Sequence, residues 1–353
     1  MNVKNNLFVL HTQYNIILSV AVIFKEFQSY RNDLILYSEF KLTDELYVIL
    51  KNVFANVLVI RDKYENIEKN PIIREYNLYK EYKKYKSSEL SKVNYDNVFL
   101  SQERPFDTLV VGDIKLRNNV SVRYVEEDCY YSINIQAKEL VHKTLNSKSD
   151  YLRRLLYGSR YIYQPIYFYG QSSIYDRYYV SFPDHVRYEL RGKKITEIPK
   201  EHIITAINLL YPHQFSMPDA DKYLLIFFDL IDRYNNPPKI FRVFKDIIDL
   251  ALSKGYAIMC KYHPRETQKI NISESKICEL PNAIPAEKVL TDLVDKDVLI
   301  IGNATTSILM ARKLDFKAVS VAVIDDNLNE EMIGKMLEIG IETPKLPAEI
   351  FNV

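Results

Sequence analysis

The chain has 353 residues, 47% of them hydrophobic and 26% charged, which is enough material for two globular domains of ordinary size. The formal charge of +1 provides no overall field for binding nucleic acid. Three well-separated cysteines, Cys129, Cys260 and Cys278, exclude a disulfide framework or a zinc cluster and point to a reducing cytoplasm.

Asn6 to His11 reads as a buried strand, and Thr12 as the cap of a helix over Gln13 to Phe27. Within it, the apolar run Ile16 to Phe24 lacks the basic leader and cleavage site of a secretory signal. It is also shorter than the ~20 residues of a membrane span. Strands are expected at Leu34 to Tyr37 and Val57 to Ile60, with a helix from Asp44 to Phe54 between them. This βαβ rhythm is that of a parallel sheet. Ile72 to Val93 reads as a polar helix rich in Lys and Tyr. It is either a solvated face or a basic, aromatic surface for anionic lipid or a glycan. Val98 to Leu100, Thr108 to Val111 and Val120 to Val125 look like strands. Ala137 to Gly158 looks helical, and Arg160 to Leu190 takes no assignment.

Prolines 199, 212 and 218 mark a linker within Lys193 to Asp221, which divides the chain into domains at 1–205 and 206–353. A second βαβ series follows. Its strands are Tyr223 to Phe228, Tyr256 to Lys261, Lys276 to Leu280, Val298 to Ile301 and Ala318 to Ile324. Its helices are Ile240 to Ser253, Glu287 to Leu293 and Ser307 to Lys313. Two Rossmann-like α/β domains facing a central cleft suggest a GT-B glycosyltransferase.

Ligands of open α/β sheets bind past the carboxyl ends of the strands. Polar clusters stand at three such ends. His263, in Lys261-Tyr262-His263-Pro264, suits a general acid, because an imidazole near its ordinary pKa of ~6.5 holds a proton beside a phosphate. Thr305, Thr306 and Ser307 open a helix whose free N–H groups suit a phosphate. Glu126 and Glu127 suit a base, since burial and mutual repulsion raise a carboxyl pKa. Lys261 and Glu287 suit the base and ribose of a nucleotide. Asp229 and Asp232 also follow a strand, with Asp232 as the alternative base. Asp219-Ala220-Asp221 and Asp295-Lys296-Asp297 have the spelling of a metal site but not its expected place after a strand. No cofactor or metal is expected.

In order along the chain, five segments resemble those of the bacterial sialyltransferases of glycosyltransferase family 52, the lipooligosaccharide and capsule enzymes related to bacterial polysialyltransferases. They are Asn6 to Tyr14, Tyr124-Val125-Glu126-Glu127-Asp128, Lys261-Tyr262-His263-Pro264, Ile284-Pro285-Ala286-Glu287 and Thr305-Thr306-Ser307. The resemblance implies inverting, metal-independent transfer of sialic acid from CMP-sialic acid to a hydroxyl of a surface glycan. His263 would then serve the CMP phosphate with Thr305, Thr306 and Ser307, Glu287 the ribose, and a carboxylate the acceptor. Asp128 stands where that family has glycine, and Asp tolerates the left-handed turn a glycine would allow. Other donors, such as a different CMP-nonulosonate, CMP-Kdo or a UDP-hexose, fit the same phosphate cluster. A non-catalytic glycan-assembly protein is the reading outside catalysis. The expected partners are a CMP-sugar donor and a glycan acceptor, and no nucleic acid. Peripheral attachment at the inner membrane and a homodimer are both compatible with the sequence.

Overall fold

The computed structural model describes residues 3–61, 70–133, 148–162, 166, 168–266, 277–325 and 330–352. Two compact units divide after Leu210.

The first unit begins with β1 (Asn5–Leu10), α1 (Gln13–Val22), β2 (Arg31–Ser38), α2 (Asp44–Val53), β3 (Asn56–Arg61) and α3 (Pro71–Ser87). It continues with β4 (Asn97–Leu100), α4 (Pro105–Lys115), β5 (Ser121–Val125), α5 (Cys129–Ile133) and α6 (Lys148–Tyr157). It ends with β6 (Arg177–Val180), β7 (Ile195–Glu197) and α7 (Lys200–Leu210). Its strands form a sheet of order β3-β2-β1-β4-β5-β6-β7, and every pairing is parallel. Parallel strands need both faces covered, and β1 shows it. Leu7 and Val9 lie in one core layer, whereas Phe8 stacks on Phe99 at 4.3 Å between ring centres.

Local chemistry sets the ends. Thr12 Oγ1 accepts the Asn15 N–H (3.1 Å) and Asn15 Oδ1 accepts the Thr12 N–H (3.2 Å), a reciprocal cap that starts α1. The helix then loosens into a π-helical turn over Ile23–Phe27. Thr108 to Val111 is not a strand but the centre of α4. Every residue from Phe106 to Ile114 is buried, so no polar face betrays the helical period. The start signals are Pro105 at the first helical position and Asp107, whose Oδ2 accepts the Arg104 N–H (3.0 Å).

Much of the expected linker is structured. Ile195–Glu197 extends the sheet as β7, and Ile203, Ala206, Ile207 and Leu210 bury one face of α7. Pro199 marks a helix start, where its carbonyl accepts the Ile203 N–H at 3.2 Å. The unassigned Tyr-rich stretch contains β6, whose Tyr178 and Tyr179 are buried. Residues 137–147 of the expected helix Ala137 to Gly158 lie outside the described residues, and its end is α6.

The expected polar helix is α3, and its inner side is packed. Leu78, Tyr82 and Tyr85 are buried, as are both its carboxylates. Glu75 binds Arg153 of α6 (2.7 Å) and Glu81 accepts the Tyr37 hydroxyl (2.6 Å).

The second unit contains β8 (Lys222–Phe228), α8 (Pro237–Ser253), β9 (Ala257–Tyr262), β10 (Ile277–Glu279), α9 (Ala286–Asp292), β11 (Asp297–Gly302), α10 (Thr306–Lys313), β12 (Lys317–Ser320), α11 (Glu330–Ile339) and β13 (Ile341–Glu342). The sheet order is β10-β9-β8-β11-β12-β13, again parallel throughout. The strand expected over Ala318 to Ile324 ends at Ser320. The pair α11–β13 adds an edge that the sequence pattern did not reveal, with Gly340 at φ 87° in the turn between them. In both sheets the connections reverse beside the first strand, between β1 and β4 and between β8 and β11, which is where open α/β sheets bind ligands.

Gly112 of α4 lies against the backbone of Arg160, so that a Cβ there would sit 1.9 Å from the Arg160 carbonyl oxygen. Gly112→Ala is therefore expected to destabilise the fold by about 1–3 kcal/mol. A urea melt would read this as a lowered midpoint with an unchanged slope.

Candidate functional site

The carboxyl ends of both sheets carry the polar clusters. In the first unit Glu126 and Glu127 follow β5, but their environments differ. Glu126 is fully buried and saturated. Its Oε1 accepts the Tyr14 hydroxyl (3.1 Å) and a very short bond from the Ser181 hydroxyl, while Oε2 accepts the Ser181 N–H (3.0 Å). Burial pushes its pKa up and these donors pull it down. Glu127 is partly exposed. Its Oε1 accepts from the Gln102 amide (3.1 Å), and its Oε2 has no hydrogen-bond partner among the described residues. Burial, then the charges of Asp128 and Glu39, push its carboxyl up to about 8. Its backbone is pinned on both sides. The Glu127 N–H donates to the Tyr124 hydroxyl (3.1 Å), and the Glu127 carbonyl accepts from Asn15 Nδ2 (3.1 Å).

Asp128 does not adopt a left-handed turn, since Asp315 is the sole non-glycine residue with positive φ among those described. The Asp128 carbonyl accepts the Ser132 N–H (3.2 Å) at the start of α5. Asp is a common residue immediately before a helix.

Four further residues stand beside Glu127 that sequence reasoning did not single out. His11 follows β1 and Glu39 follows β2. Their chain ends are tied by the Glu39 N–H on the His11 carbonyl (3.1 Å). Asp107, at the start of α4, lies with both carboxylate oxygens 3.0 Å from His11 Nε2. Arg104 Nη2 lies 2.5 Å from Glu39 Oε1. The one available signal was the position of His11, next to the first strand and its helix cap. The neighbouring Glu103 plays a structural part. Its carboxylate accepts the N–H groups of Gly170 (3.1 and 3.0 Å) and Ser172 (3.4 Å) and anchors that loop.

In the second unit His263 follows β9, and its N–H donates to the Phe228 carbonyl at the end of β8 (3.0 Å). Its Nδ1 accepts the Arg265 N–H (3.2 Å), which leaves the ring proton on Nε2. Burial, then the charges of Arg265 and Arg233, lower its pKa to about 4. In the free protein at neutral pH the ring is therefore neutral and offers an Nε2–H. A bound dianion would shift the balance back.

Thr305 precedes α10 but does not cap it with its side chain. Its hydroxyl oxygen is buried with no hydrogen-bond partner among the described residues. Thr306 and Ser307 supply the first N–H groups of this helix, which lack partners within the helix. Gly302 makes the approach close, because a Cβ there would lie 2.9 Å from Ile308 Cδ1 and 3.1 Å from the Phe227 carbonyl. Strands β9 and β11 both flank β8, so His263 and Thr305 stand about 10 Å apart across the sheet edge.

Lys261 is buried near the end of β9, donates to the Pro281 carbonyl (3.1 Å), and has its pKa lowered to about 8 by burial, against the charge of Glu287. Glu287, in the first turn of α9, is also buried. Its charge also reaches Tyr211, whose buried hydroxyl has no hydrogen-bond partner among the described residues. Asp229 is buried and binds the Leu230 N–H (2.8 Å) and Arg233 (3.1 Å), whereas Asp232 is exposed on the next turn. The two Asp-x-Asp pairs are exposed at the amino ends of β8 and β11, at the opposite sheet edge from these groups.

No family model and no curated protein matches the sequence. Solved structures do match. An α/β-galactoside α-2,3-sialyltransferase from the luminous marine bacterium Photobacterium phosphoreum aligns over 100% of both chains with TM-score 0.58 and 12% identity. The UDP-GlcNAc 2-epimerase of Methanocaldococcus jannaschii aligns over 99% of this chain and 91% of its own, with TM-score 0.60 and 14% identity. The S. aureus MnaA–UDP structure aligns over 99% and 86%, with TM-score 0.55 and 13% identity. At such identities the likeness is one of fold, and the fold is that of the GT-B glycosyltransferases and the related epimerases, built from two Rossmann-like domains.

Proposed function

We propose that the protein is an inverting, metal-independent sialyltransferase that moves sialic acid from CMP-sialic acid to a hydroxyl of a surface glycan. The observation that carries this reading is Glu127, a strand-end carboxyl with an open oxygen and a pKa raised to about 8. That is the range in which a general base is effective. Glu126, with both oxygens saturated, positions the strand end. The preference for a CMP donor comes from the ordered segments that resemble family 52.

In the proposed reaction the acceptor O–H gives its proton to Glu127 as its oxygen forms a bond to the anomeric carbon. The bond from that carbon to the phosphate oxygen breaks, and the electron pair leaves with CMP. The new phosphate charge is met by the Thr305 hydroxyl, the N–H groups of Thr306 and Ser307, and the Nε2–H of His263. Glu287 accepts from the ribose and Lys261 orients the nucleotide. Asp232, exposed after β8, is the alternative base.

The outer faces of α3 and α6 suit the expected peripheral attachment. Ile72, Tyr76 and Tyr79 are exposed on α3, and Tyr151, Leu155 and Leu156 on α6. Lys80, Lys83 and Lys84 share this side of α3, while Glu75 and Glu81 are buried. Apolar and aromatic groups with uncompensated cations match an anionic membrane surface. Among the described residues no helix is long and apolar enough to cross a membrane.

Incubation of the full chain with CMP-sialic acid and galactose- or sialic acid-ended acceptors should release CMP and extend the glycan. No release, with consumption of another sugar nucleotide, would replace the donor. Glu127→Gln should lower kcat by about 100-fold or more. For the wild type, kcat/KM should rise with pH up to about 8, as the carboxyl loses its proton, and level off above it. Vesicles containing phosphatidylglycerol should sediment the protein at low salt and neutral phosphatidylcholine vesicles should not. Tyr151→Ser with Leu155→Ser should weaken that binding while leaving transfer to a free oligosaccharide intact.

A further inference from the structure

Around Glu127 stand buried acceptor atoms that have no hydrogen-bond partner among the described residues. Asp107 holds His11 through Nε2 with both oxygens at 3.0 Å. Asp107 Oδ2 also takes the Arg104 N–H (3.0 Å), so this carboxylate accepts and the imidazole proton sits on Nε2. His11 Nδ1 is fully buried, has no hydrogen-bond partner among the described residues, and lies 3.6 Å from Glu39 Oε1. That distance is too long for a direct hydrogen bond. Glu39 Oε1 has the Arg104 guanidinium at 2.5 Å as its ion-pair partner. Gln102 Nε2 donates to Glu127 Oε1, and its own Oε1 is buried and without a partner among the described residues. Glu127 Oε2 is in the same condition.

Unsatisfied polar atoms in the interior are costly, and a cluster of them calls for a missing partner. Here the missing partner must donate, and must donate several times over a short span. A sugar ring does this, because each hydroxyl is a donor, and carboxylate and amide side chains are its natural acceptors. The cation of this cluster, Arg104, is already committed to Glu39, which argues against an anionic group as the ligand's principal feature. Glu39 and Arg104 keep about a quarter of their side-chain surface exposed, so a ligand can reach them. His11 and Asp107 are fully buried and act through Glu39.

We propose that Glu39 binds a hydroxyl group of the acceptor sugar beside Glu127, that the Asp107–His11 pair with Arg104 positions Glu39 to do so, and that buried Gln102 positions Glu127. The proposal rests on the sugar-transfer reading and adds to it the residues that choose the acceptor. It makes acceptor recognition a property of the strand ends β1, β2 and β4, separate from the base on β5.

The test uses the full chain, lactose and 3′-sialyllactose as acceptors, and methyl β-galactosides each lacking one hydroxyl. Initial rates should show the acceptor KM of Glu39→Ala raised about 10–100-fold, the range for losing a charge-assisted hydrogen bond, with a donor KM within about twofold of wild type. One deoxygenated galactoside should lose as much affinity for wild type and nothing further for Glu39→Ala, the coupling expected of a direct contact. His11→Gln should reproduce the KM effect, and the double variant should be no worse than Glu39→Ala alone. A purely structural His11 would instead lower thermal stability and add its effect to that of Glu39→Ala. An unchanged acceptor KM in Glu39→Ala, or full additivity with every deoxygenated galactoside, overturns the proposal and leaves these atoms to water. If wild type moves sugar from no nucleotide, the transfer reading fails. Saturation-transfer NMR then still decides the inference: signal from lactose on wild type, lost in Glu39→Ala, supports it, and no signal on wild type sinks it.

Discussion

The parallel pairing of a central first strand is the constraint on which this protein depends. β1 lies between β2 and β4, and β8 between β9 and β11. A parallel ladder aligns every carboxyl end along one edge, and the connections diverge to either side of the first strand. His11, Glu39, Gln102 and Glu127 are far apart in sequence and meet only because those four strands are in register. The same holds for Asp229, His263 and Thr305 in the second unit.

Within that frame, burial and hydrogen bonding divide labour between like residues. Glu126 and Glu127 are neighbours in the chain, but alternation along β5 and the turn after it send them to different surroundings. Glu126 turns toward Tyr14 and Ser181 and is saturated, so its charge is spent on holding β5, β6 and α1 together. Glu127 turns toward Gln102 and acidic neighbours and keeps an unsatisfied oxygen. A carboxyl that is costly to ionise and poorly supplied with donors is suited to take up a proton. In the second unit the Thr305 hydroxyl is buried with no hydrogen-bond partner among the described residues, and His263 adds a neutral ring N–H.

Much of this was legible in the chain. The βαβ rhythm in both halves, the Thr12 cap and the helix after Asn236 come from local periodicity and turn chemistry, which need no tertiary knowledge. Where the sequence misleads, the local signal is weak. Thr108 to Val111 looks like a strand because α4 is buried on all sides and has no polar face. Within the expected linker Lys193 to Asp221, the stretch up to Leu210 looks unstructured because Pro199, which marks a helix start, also reads as a breaker and because β7 is only three residues long. The helical segment at Ile72 is recognisable, but not that its two glutamates point inward to Arg153 and Tyr37.

By itself the sequence determined the fold class, the strand ends, and the residue types available at each of them, because these follow from patterns within about ten residues. Only the tertiary structure decided which of those groups is saturated and which is open. It separated Glu127 from Glu126, set the surroundings that lower the pKa of His263 in the free protein, and drew His11, Asp107, Glu39 and Arg104 into one cluster. The physical reason is that a pKa and a hydrogen-bond deficit depend on what lies within a few ångströms in space. For these residues those neighbours come from strands and helices up to about a hundred positions away in the chain.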